Sequence, residues 1–159
     1  MSAVYLSREG WSAVLVGVTE QLIGEPRLNA DWYAWCGSIG PVALSDPERG
    51  ALSRLGVALA QRHDLRGLFG VDFVRDRSGG WWPVEVNPRW VPSADVLERA
   101  ASGQSLLRGR PAVPNGGVQH GLAVLRDDAH PAGRGRRFTA SGADRAACFG
   151  ALMAAVDTG

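Results

Sequence analysis

The chain has no lysine: its seventeen basic residues are all arginine, set against sixteen carboxylates, for a net charge of +1. That balance removes the electrostatic case for nucleic acid or an anionic membrane as partner, because both demand clustered positive charge. The dense basic run Arg134, Arg136 and Arg137 lies in a glycine-rich stretch, Gly133 to Arg137, that reads as flexible, and no phosphate-binding role is attached to it. No apolar run approaches the about 20 residues needed to span a bilayer, and the N-terminus lacks the charged-then-apolar pattern of a signal peptide. Cys36 and Cys148 are the only cysteines. They are far apart and without metal-ligand spacing, so they are expected as reduced thiols in a cytoplasmic protein. His63, His120 and His130 have no spacing suited to zinc and are expected on the surface or in loops. The all-arginine, alanine- and glycine-rich composition points to coding bias more than to a binding surface.

What is present suits one domain. At 159 residues and 45% hydrophobic content a core of ordinary size can form, and no internal repeat or second domain is visible. Ala3 to Leu6 and Trp11 to Thr19 read as strands separated by an Arg8-Glu9-Gly10 turn, and Trp32 to Cys36 as a short aromatic strand ending at Gly37. Asp46 reads as the cap of a helix with Pro47 at its first position, a stripe of Leu52, Leu55 and Leu59, and an end near His63. Ser93 reads as the cap of a second helix with Val96, Leu97 and Ala100 inward. Gly109 to Gly117 reads as a loop, Gly121 to Arg126 as a strand, and Ser141 to Val156 as a closing helix. The order predicts an α+β fold, a mostly antiparallel sheet with helices packed on one face.

The most informative stretch runs from Gly67 to Arg89, GLFGVDFVRDRSGGWWPVEVNPR. It predicts a hairpin with strands Leu68 to Arg75 and Trp82 to Val86, turning through Arg77-Ser78-Gly79-Gly80. Period-2 geometry puts Glu85 and Asn87 on one face, and Asp72 can lie opposite them on that face. Three hard oxygen ligands suit Mg²⁺, which takes carboxylate oxygens and completes its shell with water and phosphate. Arg89, on the same side, adds a planar fork for a phosphate or carboxylate. The competing reading makes Asp72 a strand-edge carboxylate and pairs Glu85 with Arg75.

GVDFV, a glycine-rich turn, PVEVNPR and then Ser93 resemble the metal-binding end of the ATP-grasp ligases, a superfamily that includes carbamoyl phosphate synthetase, biotin carboxylase and D-alanine–D-alanine ligase. GVTEQLIGEP and YAWCGSIGP are similar in texture to ATP-grasp proteins related to carboligases and amino-acid ligases, and are less specific. The resemblance implies that Asp72, Glu85 and Asn87 hold one or two Mg²⁺ ions (Mn²⁺ as a substitute) bridging the ATP phosphates, with Arg89 on the transferred phosphate or acyl-phosphate. It further implies a small carboxylate substrate, an acyl-phosphate intermediate and attack by an amine or thiol. It covers residues 2 to 119 and corresponds to the second lobe of the family's two-lobed clamp. The lysine-bearing first lobe and the adenine hinge have no counterpart here. The expectation is therefore a single domain, 1–159, forming a C-terminal lobe with residues 119–159 as a divergent tail. A separate first-lobe polypeptide would complete a ligase; the alternative is a truncated, non-catalytic remnant or a docking subunit.

Other residues carry weaker expectations. Gly37-Ser38-Ile39-Gly40-Pro41 either lines the substrate side of the cleft or is a simple turn. Glu20 and Gln21 follow a strand and can reach the cleft, though a structural role suffices for both. Ser93 and Asp95 stand where the family resembled places substrate-facing or loop-fixing groups, while capping alone accounts for Ser93. Trp81, Trp82 and Trp90 are expected to pack around the site. The face carrying the carboxylates is expected to be open, with Phe73, Trp82 or Trp90 partly exposed beside it.

Overall fold

The computed structural model describes residues 1–8, 12–108, 113–126 and 135–158. The expected turn at Glu9-Gly10, the start of the second strand at Trp11, residues 109–112, His130 and Arg134 lie outside them. Seven strands form one sheet in the order β5-β4-β1-β2-β3-β6-β7, every neighbouring pair antiparallel. They are β1 (Ser2–Ser7), β2 (Ala13–Ile23), β3 (Trp35–Gly40), β4 (Gly67–Arg75), β5 (Trp81–Asn87), β6 (Gln119–Arg126) and β7 (Gly135–Gly142). The helices are α1 (Asp46–His63), α2 (Pro92–Ala100) and α3 (Arg145–Thr158). The α+β, antiparallel class matches expectation; the placement of helices does not. In β1, Ala3 and Tyr5 pack with Leu52 and Ala60 of α1, while Val4 and Leu6 pack with Ala94 and Leu97 of α2. A strand buried at all six positions needs cover on both faces. So α2 lies on one face, and α1 lies on the other beside α3, which buries Leu152 and Met153 against Ile39 and Ala123.

Local chemistry explains the element ends. The cap of α1 is Ser45 rather than Asp46. The Glu48 carboxylate accepts from the Ser45 backbone N–H at 2.9 Å, and the Ser45 hydroxyl accepts from the Glu48 N–H, completing a reciprocal cap. Asp46 instead adds negative charge to the first turn, where the helix dipole favours it. Gly56 opens that helix to the sheet: a Cβ there would meet the Tyr5 ring at 2.4 Å, and Tyr5 Oη donates to the Leu52 carbonyl at 3.1 Å. Ser93 does not cap α2. Its hydroxyl is turned inward, accepting from Thr19 Oγ1 of β2 at 2.7 Å, and Val91 holds the cap position without a side-chain bond.

Two sequence expectations shift for reasons of anchoring. Leu28 and Ala30 are buried, so the chain reverses after them and throws Trp32 and Tyr33 outward at 87% and 89% exposure. The third strand consequently begins at Trp35. Gly135 to Gly142, expected to be flexible and then helical, is a strand because it pairs with β6 along eight residues. The last helix then starts at Arg145, behind Asp144, whose carboxylate accepts from the Ala147 N–H at 2.8 Å. None of the described helices is long and apolar enough to cross a membrane. On the α2 face, α2 packs across β2, β3 and β6. The β4–β5 end of that face is left uncovered, and there the candidate site lies.

Candidate functional site

The β4–β5 turn sets the register on which the site depends. Asp76 accepts from the Ser78 N–H at 2.9 Å, the Ser78 hydroxyl at 2.6 Å, the Gly80 N–H at 2.8 Å and the Trp82 indole at 2.7 Å. Those bonds, the Ser78 and Trp82 side chains foremost, hold its carboxyl well below the usual carboxylate range. Gly79 takes φ 88°, a left-handed conformation that glycine adopts without strain. From the turn the strands pair Arg75 with Trp81, Val74 with Trp82 and Phe73 with Pro83; a bulge between Phe73 and Asp72 then passes over Val84, so that Asp72 pairs directly with Glu85 and Gly70 with Asn87. Asp72, Glu85 and Asn87 therefore share the α2-bearing face.

These side chains line an open cleft of ≈ 260 Å³ together with Arg89, and Gln21 and Trp35 enter from β2 and β3. Asn87 is buried. Its Nδ2 donates to Asp72 Oδ2 at 3.4 Å, and its Oδ1 accepts from Arg89 Nη2 at 3.1 Å. Gln21 Nε2 donates to the other Asp72 oxygen, Oδ1, at 3.1 Å. Glu85 is exposed and has no hydrogen-bond or ion-pair partner among the described residues. Arg75, its competing partner from the sequence, instead binds Glu48 at 2.7 Å and stacks over Trp81 at 5.3 Å, on the opposite face. Among the described residues no three His, Cys, Asp or Glu side chains gather together. The donor set at this cleft is two carboxylates and one amide oxygen, all hard ligands of the kind Mg²⁺ prefers.

The surroundings separate the other candidates. Gln21 reaches the cleft, whereas its neighbour Glu20 points to the opposite face and pairs with Arg145 at 2.7 Å. Period-2 alternation along β2 was the signal that divides the two. Ser2 also lines the cleft, and nothing in the sequence marked it. Gly37 to Gly40 form neither a turn nor a cleft loop: they are the interior of β3, bonded to β2 and β6, with Ser38 fully buried. Asp95 accepts from the Trp90 indole at 2.8 Å and pairs with Arg137 of β7. His120 bonds Ser141 at 2.9 Å, and burial, with Arg99 nearby, lowers its pKa. Trp82 is 62% exposed beside the cleft and Trp90 is 39% exposed. Phe73 is buried instead, edge-on to Trp81 at 5.6 Å, because alternation along β4 puts it, with Phe69 and Val71, on the α1 face.

Comparison with known proteins bears on the family and the fold. A model of the ATP-grasp domain matches residues 1–93. No curated protein sequence matches the chain. Among solved structures, an L-amino acid ligase from Bacillus licheniformis aligns with a TM-score of 0.70 at 10% identity, over 99% of this chain and 52% of that one. An ATP-grasp superfamily protein from Archaeoglobus fulgidus aligns at 0.61 and 21% identity, over 88% of this chain and 44% of that one. The biotin carboxylase domain of 2-oxoglutarate carboxylase from Hydrogenobacter thermophilus, solved with MgADP and bicarbonate, aligns at 0.57 and 17% identity, over 77% and 28%. The chain thus spans between about a quarter and a half of the length of these structures. With the family model covering more than half of the residues, the chain belongs to the ATP-grasp domain family.

Proposed function

We propose that residues 1–159 are the C-terminal, metal- and phosphate-holding lobe of an ATP-dependent ligase that joins a small carboxylate to an amine or thiol through an acyl-phosphate. The observation that carries the reading is the register: Asp72 faces Glu85 across β4–β5, with Asn87 and Arg89 in the same cleft. Asp72, Glu85 and Asn87 would hold Mg²⁺, or Mn²⁺ in its place, and the bound ion supplies charge neutralisation at the phosphates of ATP. Glu85 offers an oxygen with no competing protein partner. Arg89 is tethered to Asn87 Oδ1 in this structure. Once that oxygen is engaged elsewhere, its guanidinium is freed to bind a phosphoryl or carboxylate group through two parallel N–H bonds. No covalent nucleophile is required of the chain.

The chain has no lysine to hold the α- and β-phosphates. On the same sheet face, two residues from Asp72 toward the turn, it exposes the paired Val74 and Trp82. An apolar patch next to clustered carboxylates marks a surface meant to be covered. We therefore assign the missing cations to a lysine-bearing companion lobe, in the same or a separate polypeptide, working in the cytoplasm where the two thiols stay reduced.

The test mixes the chain with such a lobe and follows Mg-dependent release of ADP from ATP. The chain alone is expected to bind ATP weakly, the mixture to hydrolyse it, and Asp72→Ala or Glu85→Ala to abolish hydrolysis. Micromolar ATP binding with turnover by the chain alone would refute the need for a second lobe. Absence of both complex and hydrolysis on mixing would leave a truncated, non-catalytic remnant as the better account.

A further inference from the structure

Gln21 occupies a position that the hairpin motif does not explain. It lies on β2, two strands away from β4 in the sheet, with β1 between them. Ser2, the first residue of β1, pairs with Thr19 on one side and with Asp72 on the other. Gln21 is two residues beyond Thr19, on the same face, where β1 has ended and no side chain of that strand stands between. A side chain of glutamine length crosses the gap, and its Nε2 donates to Asp72 Oδ1 at 3.1 Å. Its Oε1 takes the Met1 amine at 3.5 Å, which leaves the amide nitrogen as the end that faces the carboxylate.

We propose that Gln21 is a positioning residue that orients Asp72 as a one-oxygen metal ligand; the proposal rests on the reading of Asp72 as a ligand. Asp72 Oδ1 is taken by Gln21, so the oxygen left for a cation is Oδ2, which has only a long contact of 3.4 Å from Asn87 Nδ2. Oδ2 is thereby the oxygen on the Asn87 side of the cleft. Without Gln21 the carboxylate can turn about its side-chain bonds, and ordering it becomes part of the cost of binding. Outer partners of this kind typically change metal affinity by about 10- to 100-fold. Neither a shorter nor an apolar side chain can take the place: asparagine falls one methylene short, and methionine has the length without the donor.

Mn²⁺ titration of the full chain, read by electron paramagnetic resonance, tests this with wild type, Gln21→Met, Gln21→Asn, Asp72→Ala and the double variant Gln21→Met/Asp72→Ala. Both single Gln21 variants should bind Mn²⁺ at least about 10-fold more weakly than wild type. The double variant should bind no more weakly than Asp72→Ala alone, because Gln21 acts only through that carboxylate. A general structural role would not produce that cancellation. If Asp72→Ala loses Mn²⁺ while the Gln21 variants match wild type, or if the Gln21 effect persists undiminished without Asp72, the positioning role is overturned and the metal site stands. If Mn²⁺ binding is indifferent to Asp72→Ala, the metal site itself falls, and the role of Gln21 with it.

Discussion

Glu48 and Glu85 flank the same hairpin and have opposite surroundings. Glu48, on the α1 side, accepts from the Ser45 N–H at 2.9 Å, the Ser45 hydroxyl at 2.7 Å, the Trp81 indole at 3.2 Å and Arg75 at 2.7 Å. The Ser45 bonds first, then Trp81, lower its pKa. Glu85, on the α2 side, has no such donor among the described residues and stands directly across from Asp72. Like charges opposite one another on a sheet face are destabilising. Glu48 spends its lone pairs on protein donors, whereas Glu85 is left beside an uncompensated like charge, as the proposed cation site requires. The hairpin is tied to α1 on one face and carries the like-charged pair on the other.

The largest effect expected from breaking this contrast is on turnover in the two-lobe assembly proposed above. Asp72→Ala should lower Mg-dependent ATP hydrolysis on the order of 10³-fold, the loss of several kcal/mol of charge stabilisation. Glu48→Ala should do the reverse: chemical denaturation should show a stability loss of about 1–2 kcal/mol, from the lost cap and ties, with Mn²⁺ binding unchanged. Arg89→Met should raise Mn²⁺ affinity of the chain by a few-fold while lowering turnover, since it removes the guanidinium now competing for Asn87 Oδ1. Unchanged or weakened Mn²⁺ binding in that variant would show that the tether is not a competitor. Glu85→Gln should weaken Mn²⁺ binding yet raise stability by roughly a few tenths of a kcal/mol, by removing the like-charge pair.

The pH dependence sharpens the same comparison. The folded pKa of Glu48 lies below its ordinary value of 4.5, so its contribution to stability is present above that value. It is lost as pH falls through the lower, folded value. Denaturant midpoints of wild type should drop on acidification from pH 5 to pH 3, and Glu48→Gln should flatten part of that fall. An identical acid limb in the variant would mean that Glu48 does not anchor the hairpin.

Much of the hairpin was legible from the chain because it is local. A turn held by Asp76, Ser78 and Gly80 and a period of two residues place Glu85 and Asn87 together on one face, but counted back from that turn they set Asp72 against Val84; the bulge between Asp72 and Phe73 is what brings Asp72 opposite Glu85. The capping box of α1 was equally local, although Ser45 with Glu48 rather than Asp46 forms it. Residues whose partners lie far away in sequence were not legible. Ser93 resembles a cap until Thr19, seventy-four residues away, takes its hydroxyl. β7 looks like a flexible basic stretch until β6 supplies its partner.

By itself, then, the amino-acid sequence determined the α+β class, the hairpin and the shared face of Glu85 and Asn87, because turn chemistry and side-chain alternation act between residues close along the chain. The tertiary structure alone decided that helices cover both faces, that Arg75 goes to Glu48 and leaves Glu85 unpaired, and that Gln21 reaches Asp72 across the end of β1. Each of these depends on which strands become neighbours and which surface a helix buries. That is settled by the burial of apolar area over the whole chain, a quantity no short segment contains.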